Sequence, residues 1–380
     1  MTEPVRTGVI GCGTIALIGV LPHLSLPDAR ERIEVRAVCD VVGERARATA
    51  ERFGVGSAYE DPHELIARDD IDLVLILTPI PYHYEYAIAA LEAGKHVYVQ
   101  KTMARTFAEA QKMVAAAEAR DRVLVAAPGQ MLAPGLQRIA SLIADGALGK
   151  VYWAWGSTGG WGHEFEDTRH GSDTMTAIDP SWYYREGGPV QDTTVYVLHS
   201  LTGILGPVRQ VTAMSGTAMA ERTWQGTTMP VTVDDNTLLL LDFGEVTFGV
   251  AGGNSAEVGR LVDWGSFGIY GSAGVVETLE VEPLSGLPEQ LYVKAAVALD
   301  ELDGGTEGTF VPGALSGIDP SHHGLPEPHV YADILHCVDC ITSGAAPVAS
   351  GAHAAHVVEV IEKGYQAARE GRTLTLDSSF

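Results

Sequence analysis

The stretch Val9-Ile10-Gly11-Cys12-Gly13-Thr14-Ile15-Ala16 decides the fold. A short apolar run ends at Gly11, glycine returns at position 13, and Ala16 opens a helical run through Leu26. This is the G-x-G-x-x-G/A phosphate turn of a dinucleotide-binding βαβ unit. Gly11 makes the tight turn, and Gly13 lets the backbone approach a pyrophosphate. Ala16 keeps helix and strand close, and the helix start at Thr14 and Ile15 offers N–H groups to phosphate charge. A second strand, Ile33–Cys39, leads into Asp40. An acid at that place hydrogen-bonds the adenosine ribose hydroxyls. Asp40 repels a 2′-phosphate, and Val41-Val42 follow where an NADP enzyme often shows Arg or Ser. The expected cofactor is NAD, with NADP possible.

Strand and helix patterns alternate outward from this unit. Helices are expected over Glu44–Phe53, Tyr82–Ala93 and Phe107–Arg120. Strands are expected over Asp72–Leu77, His96–Val99 and Val123–Ala126. Asp61-Pro62-His63-Glu64 reads as an N-cap, a proline at the first helical position and an acidic first turn. The result is an α/β, doubly wound parallel Rossmann sheet over residues 1–127. Ligands then sit outside the carboxyl ends of the strands, where Gly11, Asp40, Thr78 and Lys101 fall.

Residues 128–380 read as an α+β domain for substrate binding and oligomerisation. Its open, mainly antiparallel sheet has some five strands, Val208–Ala213, Thr237–Asp242, Val246–Ala251, Ser266–Tyr270 and Val275–Glu280. Gly156–Gly188 reads as irregular and Val281–Pro328 as long loops. Helices Tyr331–Ser343 and Gly351–Glu370 end the chain.

The chain has 380 residues, long for one domain, with 25 Lys+Arg against 49 Asp+Glu for a net charge of −24. Such an acidic chain repels nucleic acid and anionic membranes, so neither is an expected partner. No run approaches a membrane span, and Met1-Thr2-Glu3-Pro4 is not expected to be a signal peptide. Four cysteines suggest free thiols in a reducing cytoplasm. Cys337 and Cys340 lie inside a helical pattern and read as core thiols. No metal is expected, because the histidines show no paired ligand spacing.

Asp192, Tyr196 and His199 stand at i, i+4 and i+7. If Pro189–Leu205 is one helix they share a face. Asp192 is expected to bind a substrate hydroxyl and orient Lys101, and Tyr196 to exchange the proton of that hydroxyl, with His199 as the rival base. Lys101, at a strand end over the cofactor, supplies a cation to a developing alkoxide. Trp161, His163, Trp182 and Tyr184 suit stacking and hydrogen bonding to a carbohydrate. His323 and His329, just before a helix, are candidates to reach the same substrate.

Ala93-Gly94-Lys95-His96-Val97-Tyr98-Val99-Gln100-Lys101-Thr102 resembles the "AGKHVxxEKP" segment of the Gfo/Idh/MocA oxidoreductases. Leu77-Thr78-Pro79 with His83 is similar to that family's "TPxxxH" strand end. Gly187–Asp192 and Gly206-Pro207-Val208 are similar to its glycine-rich approach to an aspartate and the close of the helix beyond. The resemblance implies cofactor contacts at Thr78, Pro79, His83, Gln100 and Lys101, and a homodimer or homotetramer formed through the C-terminal sheet. Gln100 and Thr102 depart from the family's EKP. Tyr196 stands where many members have histidine and some have tyrosine. The implied activity moves a hydride between NAD(P) and a secondary hydroxyl of a sugar, glycoside or cyclitol. Two alternatives are a glycoside-cleaving enzyme working by transient ring oxidation and a non-catalytic NAD-binding sensor.

Overall fold

The computed structural model describes residues 3–160, 162–255, 265–281, 285, 287–322 and 324–380. These group into two compact units. One comprises Met1–Gly129, Glu164–Trp182 and Gly317–Ala355, and the other Gln130–His163, Tyr183–Ser316 and His356–Phe380.

The first unit is built on strands β1 (Val5–Ile10), β2 (Ile33–Cys39), β3 (Ala58–Tyr59), β4 (Leu73–Ile76), β5 (His96–Val99) and β6 (Leu124–Ala126). They pair in parallel in the order β3-β2-β1-β4-β5-β6. This is the doubly wound order whose reversal, between β1 and β4, opens a ligand crevice at the strand ends. β4 is buried at every position, as a strand covered on both faces requires. Burying each of its aliphatic side chains is worth about 1.5–3 kcal/mol. Asp61 caps the helix Pro62–Ile66 by accepting the His63 N–H at 2.9 Å. Helix Pro328–Ser343, from late in the chain, adds Val330, Ile334, Cys337 and Val338 to this core. All four cysteines are free and buried.

The second unit carries β7 (Val151–Gly159), β8 (Gln210–Gly216), β9 (Glu221–Trp224), β10 (Thr227–Pro230), β11 (Asn236–Gly244), β12 (Thr247–Asn254), β13 (Phe267–Gly271), β14 (Val275–Val281), β15 (Pro288–Leu299), β16 (Gly305–Phe310) and β17 (Leu374–Thr375). Among the described residues nine of these form one sheet, in the order β16-β15-β14-β13-β7-β12-β11-β8-β17, and β9 and β10 pair as a hairpin. The sheet is antiparallel except where β7 and β12 run parallel. It is larger than the five strands expected, because β15 and β16 occupy residues read as loop and β7 and β17 also join it. β15 buries Leu291, Val293 and Ala295 while Glu289 and Lys294 face out. Its alanine-rich end, Lys294-Ala295-Ala296-Val297-Ala298-Leu299, obscures that period-2 pattern. One face of the sheet packs Leu239, Leu241, Ala251 and Phe267 into the core. On the other, Met214, Leu238, Leu240 and Phe248 stand exposed.

Two expected elements differ in form. Gly156–Gly188 is ordered in part: β7 continues to Gly159, and short helical turns cover His163–Phe165, Asp167–Arg169 and Tyr183–Gly187. The helix expected over Pro189–Leu205 is a π-turn over Val190–Thr194 followed by an α-helix over Val195–Leu205. The hydroxyls of Thr193 and Thr194 donate to the Pro189 carbonyl at 2.9 and 3.3 Å. Such side-chain bonds compete with the helical ladder and widen the turn. Residues beyond the wide turn lag behind the positions of a uniform 3.6-residue helix, so the shared face expected for Asp192, Tyr196 and His199 does not follow from their spacing.

Candidate active site

Gly11 has φ +98, and a Cβ on it would lie 2.7 Å from the Leu77 carbonyl carbon and oxygen. Only glycine lets β1 turn there against the end of β4. A Cβ on Gly13 would meet nothing within 4 Å, so the backbone at that position faces open space. The hydroxyl oxygens of Thr14, within this turn, and Thr78, just past β4, are buried with no hydrogen-bond partner. Buried polar atoms of this kind need a ligand or water. A glycine cradle, a helix start and two unspent hydroxyls at the strand ends fit the pyrophosphate of a dinucleotide.

Asp40 follows β2 and is buried. Its carboxylate accepts the Cys12 N–H at 2.9 Å and the Val42 N–H at 2.8 Å. Arg45 Nη1 lies 3.2 Å from Asp40 Oδ1, and Arg45 Nε donates to the Thr174 carbonyl at 2.8 Å. Sequence reasoning missed Arg45. Its signal was a cation five residues past the acid, in the first turn of helix Gly43–Phe53. The pairing blunts the bare negative charge expected at the ribose position. Burial, with Asp40 adding to it at both, pushes the Cys12 and Cys39 thiols up to about 12. They are inert packing.

Lys101 lies just beyond β5. Its backbone N–H donates to Gln100 Oε1 at 3.1 Å, Gln100 Nε2 donates to the Tyr98 hydroxyl at 3.1 Å, and the Lys101–Thr102 peptide is cis. His83 is wholly buried, with ring nitrogens 2.7 Å from the Thr78 carbonyl and 2.9 Å from the Thr102 carbonyl. The geometry makes His83 a tie between two strand ends. Burial lowers the His83 pKa, and Lys101 adds to the effect. At His329, burial first, then Lys101 and His23, lower the pKa to about 3. The Lys101 charge thus bears on both imidazoles. Pro79, also expected at the cofactor, starts the turn Ile80–Tyr82 at the end of β4.

In the second unit, His163 Nε2 lies 2.5 Å from Asp192 Oδ2. The His163 N–H donates to the Tyr184 hydroxyl at 2.8 Å, and the Tyr183 ring stacks on the imidazole with centroids 3.5 Å apart. The structure thus brings together Asp192, His163 and Tyr184 from the expected set, and adds Tyr183. Tyr196 and His199 are buried, Tyr196 within the apolar core. Trp182 groups with the first unit. Trp161 and His323 lie outside the described residues.

The family description "Oxidoreductase family, NAD-binding Rossmann fold" matches residues 5–127, and "GFO/IDH/MocA C-terminal domain" matches residues 136–277. The chain belongs to the Gfo/Idh/MocA family. Its first unit is thus an NAD-binding Rossmann domain of an oxidoreductase family. D-glucoside 3-dehydrogenase of Escherichia coli (strain K12) is 29% identical over 222 residues, 56% of this chain and 58% of that protein. The match therefore spans little more than half of that relative. D-apiose dehydrogenase of Paraburkholderia graminis is 25% identical over 378 residues, 98% of this chain and 90% of the relative. Levoglucosan dehydrogenase in complex with NADH and levoglucosan has the same fold, with a TM-score of 0.80 at 22% identity over 99% of this chain and 100% of that one. Within the described residues this Gfo/Idh/MocA chain has no group of three or more side chains placed to hold a metal, and no helix long and apolar enough to cross a membrane.

Proposed function

We propose that this Gfo/Idh/MocA protein is an NAD-dependent dehydrogenase acting on a secondary hydroxyl of a sugar, glycoside or cyclitol. The observation that carries the reading is the phosphate cradle of Gly11–Ala16, with two buried unspent hydroxyls, in a unit that also holds Lys101 at a strand end. Relatives named as glucoside, apiose and inositol dehydrogenases support the substrate class. Bound in that cradle, NAD supplies a nicotinamide carbon that exchanges hydride with the alcohol carbon. Gly11, Gly13, Thr14 and Ile15 hold the pyrophosphate, and Thr78 and Pro79 border it. Asp40 takes the ribose hydroxyls. Lys101 stabilises negative charge developing on the substrate oxygen. Asp192 is the carboxylate of the substrate end, with His163 and Tyr184 beside it. Tyr196 and His199 lie buried on the helix that follows.

A homo-oligomer through the C-terminal sheet is part of this reading. Met214 is 79% exposed, and Leu238 and Leu240 each 51%, on one sheet face. Apolar faces of that extent are rarely left bare. Four free thiols favour the reducing cytoplasm.

The experiment is a panel of aldoses, inositols and glycosides with NAD, followed at the reduced-nicotinamide absorbance band. NADH formation with at least one member is the expected result. Binding of NADH with turnover of none contradicts the reading in favour of a sensor. Release of aglycone at catalytic NAD, with no NADH accumulating, contradicts it in favour of glycoside cleavage.

A further inference from the structure

Proton transfer needs a group that is both basic and reachable, and the four ionisable candidates at the substrate end differ in reach. Tyr196 is 5% exposed and His199 4%. The Asp192 side chain is 8% exposed, whereas that of His163 is 22% exposed. His163 is also held by its neighbours. Asp192 accepts at Nε2, the Tyr184 hydroxyl takes its backbone N–H, and the Tyr183 ring lies against its face. A carboxylate is acceptor-only, so the shared proton sits on Nε2 and the basic nitrogen of the neutral ring is Nδ1. The residues that hold the ring flank the glycine pair Gly187-Gly188, with Tyr183 and Tyr184 before it and Asp192 after it.

We propose that His163, oriented by Asp192, is the acid–base catalyst of the reaction, in a chain whose position 196 is tyrosine. The proposal rests on the dehydrogenase reading above. In the oxidative direction the substrate O–H bond breaks and its proton passes to His163. The electron pair of that bond becomes the second bond of the new carbonyl as the C–H hydride leaves to oxidised nicotinamide. Asp192 is a positioning residue, which stabilises the imidazolium and fixes its tautomer. Tyr196 stays in the core.

The test uses the full chain with NAD, on whichever of methyl β-D-glucoside, D-glucose, myo-inositol and levoglucosan the wild type oxidises fastest. His163→Ala is expected to lose about 10²–10⁴-fold in kcat/KM, with NADH affinity unchanged by fluorescence. Added imidazole should restore rate in proportion to its unprotonated fraction. Asp192→Asn should move the acid limb of the kcat/KM profile to lower pH, because the imidazolium loses its counter-charge. Tyr196→Phe should leave that limb in place. A readout without turnover is the ¹⁵N-histidine spectrum, where Asp192→Asn should move His163 off the Nε2–H tautomer. Wild-type kcat/KM in His163→Ala, or an acid limb that survives His163→Asn, overturns the proposal while leaving the dehydrogenase reading standing. Turnover of no panel member by the wild type overturns both.

Discussion

The two units solve the same problem, placing polar atoms where a ligand meets them, by different means. In the first, the residues that matter lie one or two positions past strand ends. Gly11 follows β1, Asp40 follows β2, Thr78 follows β4 and Lys101 follows β5. Parallel pairing in one sheet then aligns them without further instruction. In the second, His163 and Asp192 are 29 residues apart and meet through turns that belong to no regular period. A site built on strand ends inherits its precision from the core, whereas one built on turns depends on individual hydrogen bonds and one ring stack.

Among changes to the first unit, removing its cation should give the largest effect. Lys101→Ala is expected to lower kcat by about 10²–10³-fold, the typical cost of losing one group that stabilises developing oxyanion charge. NADH affinity, measured by fluorescence titration, should hold, since the phosphate and ribose contacts lie elsewhere. Equal losses in affinity and turnover would make Lys101 a cofactor contact and blur the contrast between the units.

The core of the first unit titrates. Asp333, on helix Pro328–Ser343, accepts the Gly129 N–H with both oxygens at 3.1 Å, and burial raises its pKa to about 8. The folded protein holds this proton where the unfolded chain, with a carboxyl near pKa 3.9, has lost it. Stability is therefore full at acid pH and is lost as pH rises from about 4 through about 8, by on the order of a few kcal/mol. Denaturant midpoints against pH should show that slope, and Asp333→Asn should flatten it. An unchanged slope in the variant would remove Asp333 from the account.

Smaller effects bear on the cradle. Gly11→Ala forces a Cβ to 2.7 Å from the Leu77 carbonyl at φ +98. The strain is about 1–3 kcal/mol, read as a lower melting temperature and weakened NAD binding. At the ribose end the effect is smaller again. Arg45→Ala bares the Asp40 charge and should sharpen preference for NAD, whereas Asp40→Ala leaves Arg45 facing the ribose and should relax it toward NADP, each by up to about tenfold, or 1.4 kcal/mol. The kcat/KM ratio for the two cofactors checks both, and opposite signs are the required result.

The Rossmann sheet was legible because its strands are apolar runs that end in glycine, aspartate, threonine and lysine, and each strand end is itself a signal. Two features of the second unit were not. β15 hides its alternation behind Ala295, Ala296 and Ala298, whose small side chains read equally as helix. The Val190–Thr194 π-turn depends on where the hydroxyls of Thr193 and Thr194 bond, which periodicity does not encode. His163 was legible as a carbohydrate contact, but its pairing with Asp192 needs the turn geometry. Arg45 was hidden because a cation in a first helical turn is ordinarily a solvated one.

The account rests on the proposed hydride transfer to NAD, in which Lys101 and Asp192 are each assigned a role. Mass spectrometry of the cofactor after a single turnover with carbon-deuterated D-glucose, myo-inositol or methyl β-D-glucoside tests it directly. The account predicts deuterium in the reduced nicotinamide with at least one of these, and its loss in both Lys101→Ala and Asp192→Asn while NADH still binds. Deuterium transfer that survives Asp192→Asn undiminished, or reduced cofactor carrying no deuterium, would contradict it.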